Sequence, residues 1–394
     1  MKIAFFTDTY VPQLNGVVVY ICDIVKQLSK KNKMIIFAPG NGPLRIERPS
    51  KNVKIYWIPS SPFPFYEGYR VASMDYKRIS SLLKKENPDI VHAHAPVNLG
   101  LQGLLAAKRN KIATVLTYHT HFPEYVPHLF SGKLPKVLDN LSQTAVKKII
   151  KHVFRKVDVV TAPTKELVNE LYSYGLQNVI YLPNGIDFNK LKYSRKKVEE
   201  FKAQNNIPKN KKIVLYLGRV SFEKKLDNLM AAFKLIERDD RVLLVAGGGP
   251  CLEKFKKMAT TMNIKNIIFT GFVKSEDIGA AYACGDIFAS ASDSETFGLT
   301  FVEAMYVGLP AVGIRKLGAK EVVIDGKTGI LVEPDNIQEM ATAIDTLLDG
   351  NKLRHKMAKA AKKRALKYSI EKSIKSTNEV YIRVLSNPIN LGKK

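Results

Sequence analysis

The sequence predicts an α/β protein of two doubly wound, Rossmann-like domains facing a cleft. Two observations carry that expectation: short apolar runs alternate with amphipathic helical patterns along the whole chain, and the series is interrupted once and then starts again. KIAFFT (2–7), KMIIFA (33–38), VKIYWI (53–58), DIVHAH (89–94), ATVLTY (113–118), VDVVTA (157–162) and NVIYLP (178–183) read as strands. Several are apolar on both faces, as parallel strands between two helix layers are. Segments 17–31, 74–86 and 97–108 read as the crossover helices. Residues 184–211 are polar, basic and without a strand. A second series follows: KIVLYLG (212–218), RVLLVAG (241–247), NIIFTG (266–271), DIFASA (286–291), PAVGI (310–314) and GILVE (329–333). Two successive βα series give two such domains, with ligands expected at the carboxyl ends of the strands. The expected layout is an N-terminal domain over 1–190 and a second over 191–370. The C-terminal helix and basic tail, 371–394, are able to cross back to the first.

The 394 residues are long for one domain and comfortable for two. Lys and Arg number 62 against 36 Asp and Glu, a formal charge of +26. Such a charge favours nucleic acid, anionic lipid or phosphorylated ligands, or reflects a lysine bias spread over solvated surface. Cys22, Cys251 and Cys284 are scattered, with no CxxC pair, which excludes a disulfide framework and a zinc site and suits a reducing compartment. Thr7 and Asp8 end the first apolar run too early for a signal peptide. No apolar stretch approaches the roughly 20 residues that span a bilayer. A cytoplasmic protein is expected, any membrane contact being peripheral and on the cytoplasmic face.

SETFGLTFVEAMYVGLPAV (294–312) holds two carboxylates, Glu295 and Glu303, in an otherwise apolar segment, and a buried carboxylate needs a partner. IFASAS reads as a strand, DSET as a loop, and a helix begins near Gly298. Backbone N–H groups at that helix start form an anion site. A carboxylate inside the helix can accept hydrogen bonds from two neighbouring sugar hydroxyls. An anion flanked by two such carboxylates describes a nucleotide sugar. The spacing alone leaves a second reading open, with Glu295 capping the helix and Glu303 an ordinary helix residue. GRVSFEKK (218–225) puts Arg219 and Lys224 after a strand, where a guanidinium fork and an ammonium suit a diphosphate. VAGGGP (245–250), with Gly248 at its centre, permits close backbone approach to a nucleotide. TDTYVPQLNGV (7–17) places Gly16 at the first helix start of the other domain.

The set GR…EK, AGGGP and S-x-S-E-T-F-G-L-x-x-x-E-A-M-x-x-G-x-P resembles family 4 of the retaining glycosyltransferases, which have the GT-B fold. The resemblance covers nearly the whole chain, and E-x7-E with Gly298 and Pro310 is its most specific part. It implies an N-terminal acceptor-side domain and a C-terminal nucleotide-sugar domain with a UDP- or GDP-linked hexose as donor. It implies that Glu295 contacts the hexose, Glu303 the ribose, and that Arg219 and Lys224 clamp the diphosphate. Phe297, Gly298 and Leu299 would present backbone N–H groups, and Gly16 would let the first domain close on the diphosphate. An equivalent of His119 lies by the reacting sugar carbon in that family. Where the family usually has Gly after the Lys, this chain has Lys225, so the loop is shaped differently or a further cation sits beside the phosphates.

TYHTHFPEY (117–125) is similar to the glycolipid-forming branch, the diacylglycerol glucosyltransferases and phosphatidylinositol mannosyltransferases. It makes Tyr118, His121, Glu124 and Tyr125 acceptor-side candidates and a membrane lipid the expected acceptor. AVKKIIKHVFRKV (145–157) has Val146, Ile149, Ile150, Val153, Phe154 and Val157 on one helical face and Lys147, Lys148, Lys151, Arg155 and Lys156 on the other. Such a helix lies on an anionic membrane surface, or packs its apolar face in the core. WIPSSPFPFYEGY (57–69) reads as an aromatic loop, an interfacial lip if exposed and packing if buried. No zinc spacing and no Asp-x-Asp occur, so neither a metal nor a cofactor is expected. Three rival functions stand beside lipid glycosylation: transfer to a soluble sugar or polyol, nucleotide-sugar epimerisation on the same fold, and nucleic-acid binding. The last lacks any recognised module. The sequence does not give the oligomeric state.

Overall fold

A computed structural model of the chain describes residues 1–386 apart from 14, 64–68, 95, 96, 120 and 122–135; over 136–143 it gives the helical backbone alone. The chain forms two compact units, Met1–Gly185 joined by Ile370–Lys394, and Ile186–Ser369.

The first unit runs β1 (Lys2–Thr7), α1 (Gly16–Leu28), β2 (Lys33–Gly40), β3 (Arg45–Ser50), β4 (Val53–Pro62), β5 (Arg70–Ala72), α2 (Tyr76–Glu86), β6 (Ile90–His94), α3 (Leu99–Arg109), β7 (Ala113–Thr117), α4 (Lys136–Phe154), β8 (Val159–Ala162), α5 (Lys165–Ser173) and β9 (Val179–Tyr181). Its sheet has the order β3-β4-β2-β1-β6-β7-β8-β9, with β5 on β4. Pairing is parallel except where β3 and β5 meet β4. Alternate side chains of the central strands feed two cores. Ile3, Phe5 and Ile36 pack with Tyr20, Ile21 and Ile24 of α1, while Ala4, Phe6 and Phe37 pack with Ile79, Leu83, Leu99 and Ala106 of α2 and α3. The strand order reverses between β1 and β6, so the crevice of this unit opens at their carboxyl ends. There Asp8, just past β1, accepts backbone hydrogen bonds from Val97, Asn98, Leu99 and Gly100 and caps α3.

Two expectations change in this unit. The stretch 57–69 is not wholly a loop: β4 continues to Pro62, and Trp57 and Ile58 are buried. Trp57 packs in the core at a tilt to Tyr10 and donates its indole N–H to Glu47, and Phe63 meets Tyr69 edge to face. Its described aromatics are packing and do not form an interfacial lip; 64–68 lie outside the described residues. Strand β3, RIERPS, has every residue exposed, so no apolar period announces it; pairing with β4 at a sheet edge makes it a strand.

The second unit runs from a 3₁₀ turn (Phe188–Leu191) through α6 (Arg195–Gln204), β10 (Lys212–Leu217), α7 (Leu226–Leu235), β11 (Arg241–Ala246), α8 (Leu252–Thr261), β12 (Ile267–Gly271), α9 (Ile278–Ala283), β13 (Ile287–Ala289), α10 (Leu299–Val307), β14 (Ala311–Ile314), α11 (Leu317–Val322), β15 (Gly329–Val332), α12 (Ile337–Asp349) and α13 (Asn351–Ala365). Its sheet, β12-β11-β10-β13-β14-β15, is parallel throughout. Order reverses between β10 and β13, which fixes the crevice at the ends of those two strands.

After α13, Ser369 is extended (φ −67°, ψ 150°), and α14 (Ile370–Ser386) returns to the first unit, packing on α1 and β7. Gly185 is required where the chain leaves that unit, since a Cβ there would lie 2.8 Å from the Ile370 Cα.

Candidate active site

In the second unit, β10 ends at Leu217 and the segment Gly218–Val220 turns out over the sheet. Tyr216, buried on β10, donates its hydroxyl to the Arg219 carbonyl at 2.7 Å and fixes that turn. The Gly-rich turn after β11 lies against it. A Cβ on Gly247 would come within 1.9 Å of the Gly218 carbonyl oxygen, and one on Gly249 within 2.2 Å of the Val220 oxygen. Gly248, the glycine singled out from the sequence, has room for a side chain, its nearest neighbour being Phe272 at 3.6 Å. The steric need therefore sits on the two flanking glycines, which dock the Arg219 turn. The Gly248 carbonyl accepts from Val220 N–H.

Strand β13 ends at Ala289 and leads into the loop carrying Glu295. Gly298, with φ +79° and ψ 54°, is the left-handed residue immediately before α10, a conformation that favours glycine. The turn is held from below by Gly318, whose N–H donates to the Glu295 carbonyl at 2.6 Å; a Cβ there would strike the Phe297 carbonyl carbon at 2.4 Å. The Phe297 ring is buried, edge to face with Tyr368, which leaves only its backbone available to a ligand. Leu299 is the first residue of α10. The N–H groups at this helix start are those that an α-helix leaves without intrahelical partners.

The two loops are joined three times. Lys224 Nζ lies 2.8 Å from Glu295 Oε1, the Ser294 hydroxyl donates to the Glu223 carbonyl, and Lys225 Nζ bridges Asp293 (2.7 Å) and Asp335 (2.8 Å). Lys225 takes the left-handed conformation, φ +46° and ψ 44°. A glycine at this position would adopt it without strain, so the backbone keeps the shape that glycine favours. The Lys225 charge is engaged by two aspartates, and Asp335 is in turn held below the usual carboxylate range by that lysine. Glu303, about one turn into α10, accepts a 2.7 Å hydrogen bond at Oε2 from the hydroxyl of Tyr282, a buried residue of α9. Burial and the Glu303 carboxylate push the Tyr282 hydroxyl well above its ordinary pKa, so it stays a donor. Arg219, Lys224, Gly248, Glu295, Phe297, Gly298, Leu299 and Glu303 thus all belong to one unit and to loops or a helix leaving the carboxyl end of its sheet.

In the first unit the sequence-selected residues divide. Gly16 is the exposed first residue of α1, behind the Asn15 cap, whose side chain accepts from Val18 N–H. His119 follows β7 and hydrogen-bonds His94, the last residue of β6, at 3.0 Å. His92, two residues earlier, stacks on His94 with ring centroids 4.1 Å apart. Burial keeps all three rings neutral, holding His92 and His119 at about 3 and His94 well below its ordinary value. His121 pairs through Nε2 with Glu170 of α5, which also accepts the Tyr174 hydroxyl. The acceptor-side reading of Tyr118 is corrected: its ring is fully buried, edge-on to Phe154. Glu124 and Tyr125 lie outside the described residues.

Helix α4 settles half of the amphipathic reading. Ile150, Phe154 and, just beyond the helix, Val157 are buried, so most of the apolar face is core; Ile149 is 62% exposed. Lys147, Lys148, Lys151, Arg155 and Lys156 are exposed. Among the described residues, no helix is long and apolar enough to cross a membrane, and no group of three or more His, Cys, Asp or Glu is placed to hold a metal ion.

Two parallel, doubly wound units, the second with paired cation and carboxylate at its switch point, define the architecture of a GT-B glycosyltransferase. A glycosyltransferase family 4 profile matches residues 14–190, and a profile of the group 1 glycosyl transferases matches 197–364. The chain is 30% identical over 346 residues to an alpha-monoglucosyldiacylglycerol synthase of Streptococcus pneumoniae, covering 84% of this chain and 75% of that one. It is 25% identical over 404 residues to the enzyme of the same name from Acholeplasma laidlawii, covering both in full. Anabaena HepE, solved with UDP-glucose, shares the fold with a TM-score of 0.77 at 18% identity, over 97% of this chain and all of that one. The chain belongs to this family: it is a group 1, family 4 glycosyltransferase of GT-B fold.

Proposed function

We propose that the enzyme transfers a hexose from a UDP- or GDP-linked donor to a membrane-lipid acceptor with retention of configuration. The observation that carries the donor reading is the Lys224–Glu295 pair between the ends of β10 and β13, beside the start of α10. A diphosphate carries charge enough to draw Lys224 to itself, which frees the Glu295 carboxylate to accept hydroxyls of the hexose. Arg219 supplies a planar fork for the same phosphates. Glu303, its Oε2 oriented by Tyr282, accepts the ribose hydroxyls. The acceptor hydroxyl forms its bond to the anomeric carbon as the bond to the β-phosphate oxygen breaks, and that oxygen takes the acceptor proton. Arg219, Lys224 and the α10 N-terminus stabilise the growing charge on the leaving diphosphate. These groups do without a metal the work a divalent cation does elsewhere, so activity is expected to survive EDTA.

The lipid acceptor draws support from the two monoglucosyldiacylglycerol synthases and from the exposed cations of α4. Those cations suit peripheral binding to an anionic leaflet, each contributing on the order of 1 kcal/mol near the surface. A binding panel of nucleoside diphosphate sugars, followed by turnover of the best donor with lipid, sugar and polyol acceptors, tests this reading. Expected are a UDP- or GDP-hexose as the best donor and an α-linked glycolipid. Turnover confined to a soluble acceptor overturns the lipid assignment, and donor conversion without acceptor points to an epimerase.

A further inference from the structure

Of the three buried histidines, His92 is held at both ring nitrogens: Nδ1 contacts the Tyr381 hydroxyl at 2.8 Å and Nε2 the Thr117 hydroxyl at 2.7 Å. Hydroxyls donate or accept, so either tautomer suits it. His94 is different. Its Nδ1 meets His119 Nε2 at 3.0 Å, and its Nε2 is buried with no hydrogen-bond partner among the described residues. Phe5 packs against the His94 ring at 4.5 Å between centroids, and Tyr20 lies edge-on to His119 at 5.1 Å. The pair is therefore flanked by aromatic rings at the switch point, where β1 and β6 end.

Two neutral imidazoles share one proton across that contact, and two arrangements are open. If His119 donated from Nε2, His94 would carry its own proton on Nε2, an N–H buried without an acceptor. If His94 donates from Nδ1, its Nε2 keeps only a lone pair, and His119 carries its proton on Nδ1. Buried N–H groups without acceptors are rare, and an unused lone pair costs less. We propose that His94 is a positioning residue that holds His119 in the Nδ1–H tautomer, so that His119 acts on the sugar as a hydrogen-bond donor and not as a base. Its Nε2 lone pair is already taken by His94, and its Nδ1 carries the proton. This rests on the reading of His119 as a donor-sugar residue, and it extends that reading by naming the atom that acts and the residue that sets it.

The test is a long-range ¹H–¹⁵N correlation spectrum of the full-length enzyme labelled at histidine, with turnover of the same samples. The wild-type spectrum is expected to show His119 with a pyrrole-type Nδ1 and a pyridine-type Nε2. His94→Asn keeps a side-chain N–H within reach of His119 Nε2 and should preserve both the tautomer and kcat within a few-fold. His94→Leu should release His119 into a tautomer mixture and lower kcat by up to about 100-fold, the scale for a misplaced catalytic group, with donor KM little changed. A wild-type His119 protonated on Nε2, or His94→Leu with tautomer and kcat unchanged, overturns the proposal. His119→Ala separates the two claims: wild-type turnover in that variant sinks the role of His119 itself, while the spectrum reads the role of His94 independently.

Discussion

Lys224 Nζ and Glu295 Oε1 lie 2.8 Å apart, joining the loop after β10 to the loop after β13 across the point where the strand order of the second unit reverses. Both side chains are about one-fifth exposed, so the pair is poorly screened. Each group neutralises the other. On the proposed reading, a donor with charges of its own replaces the contact, Lys224 turning to the diphosphate and Glu295 to the sugar.

Glu303 is tied to Tyr282, which changes what a mutation there reports. Glu303→Ala leaves a buried tyrosine hydroxyl without its acceptor, a cost of about 1–3 kcal/mol in stability, besides weakening the donor by a similar amount. Glu303→Gln keeps an acceptor for Tyr282 and should weaken donor binding alone. Tyr282→Phe should weaken it by about 0.5–1.5 kcal/mol through loss of orientation. Calorimetric titration of the donor, beside thermal unfolding, separates these; wild-type affinity in Glu303→Gln and Glu303→Ala removes Glu303 from the ribose role.

Lys225→Gly should be close to neutral. It relieves the left-handed strain of a non-glycine residue, about 1 kcal/mol, and loses two partly exposed ion pairs worth about 0–1 kcal/mol each. Donor affinity is expected to hold. A fall in affinity with unchanged folding would make Lys225 a phosphate ligand after all.

Acid should weaken the first unit from below about pH 6.5, through its buried histidines. His92 and His119, held at about 3, and His94, also lowered, stay neutral when folded, while the unfolded imidazoles take protons near 6.5. Below 6.5 the unfolded chain therefore binds more protons, and stability falls as pH drops toward 3. Asp8 opposes this: burial raises it from 3.8 to about 6, so acid relieves part of its burial cost in that window. Three rings against one carboxyl leave a net loss. Urea unfolding at about pH 7.5 and about pH 5 reads the sign, and an equal or higher midpoint at the lower pH contradicts it.

Vesicle binding should be almost wholly electrostatic, because the structure leaves Ile149 as the one strongly exposed apolar residue among those assigned to the α4 apolar face. Flotation with anionic vesicles at low salt should be lost at high salt, with little resistant remainder. Reversing Lys147, Lys148 and Lys151 to Glu should abolish it and lower activity on a lipid acceptor while sparing donor binding. Salt-resistant flotation would show that another surface inserts.

The sheets were legible because their central strands are apolar on both faces, and the E-x7-E helix because a carboxylate in an apolar run demands a ligand or a partner. What escaped the sequence was what depends on a neighbour. Strand β3 exists through its pairing with β4, and no pattern in RIERPS marks it. Gly248 drew notice as the middle of three glycines, yet Gly247 and Gly249 face the Arg219 turn, a contact only the fold reveals. Gly318, sixty-nine residues beyond Gly249 in sequence, supports Glu295 and gives no signal beyond being a glycine in a short helix. Tyr282 reads as one more apolar-helix residue. Tyr118 sits in the motif that suggested an acceptor surface, and its ring points into the core.

The most direct test of the account is steady-state turnover of the wild type beside Arg219→Ala and Lys224→Ala, with nucleoside diphosphate and glycoside both quantified. The account predicts the two products in equal amounts, and a kcat lowered by about 10²–10³ in each variant while donor KM moves only a few-fold, because the lost charge acts on the leaving group in the transition state. An unchanged kcat with only KM raised would contradict it, leaving Arg219 and Lys224 as binding groups and the chemistry without its assigned source of charge stabilisation.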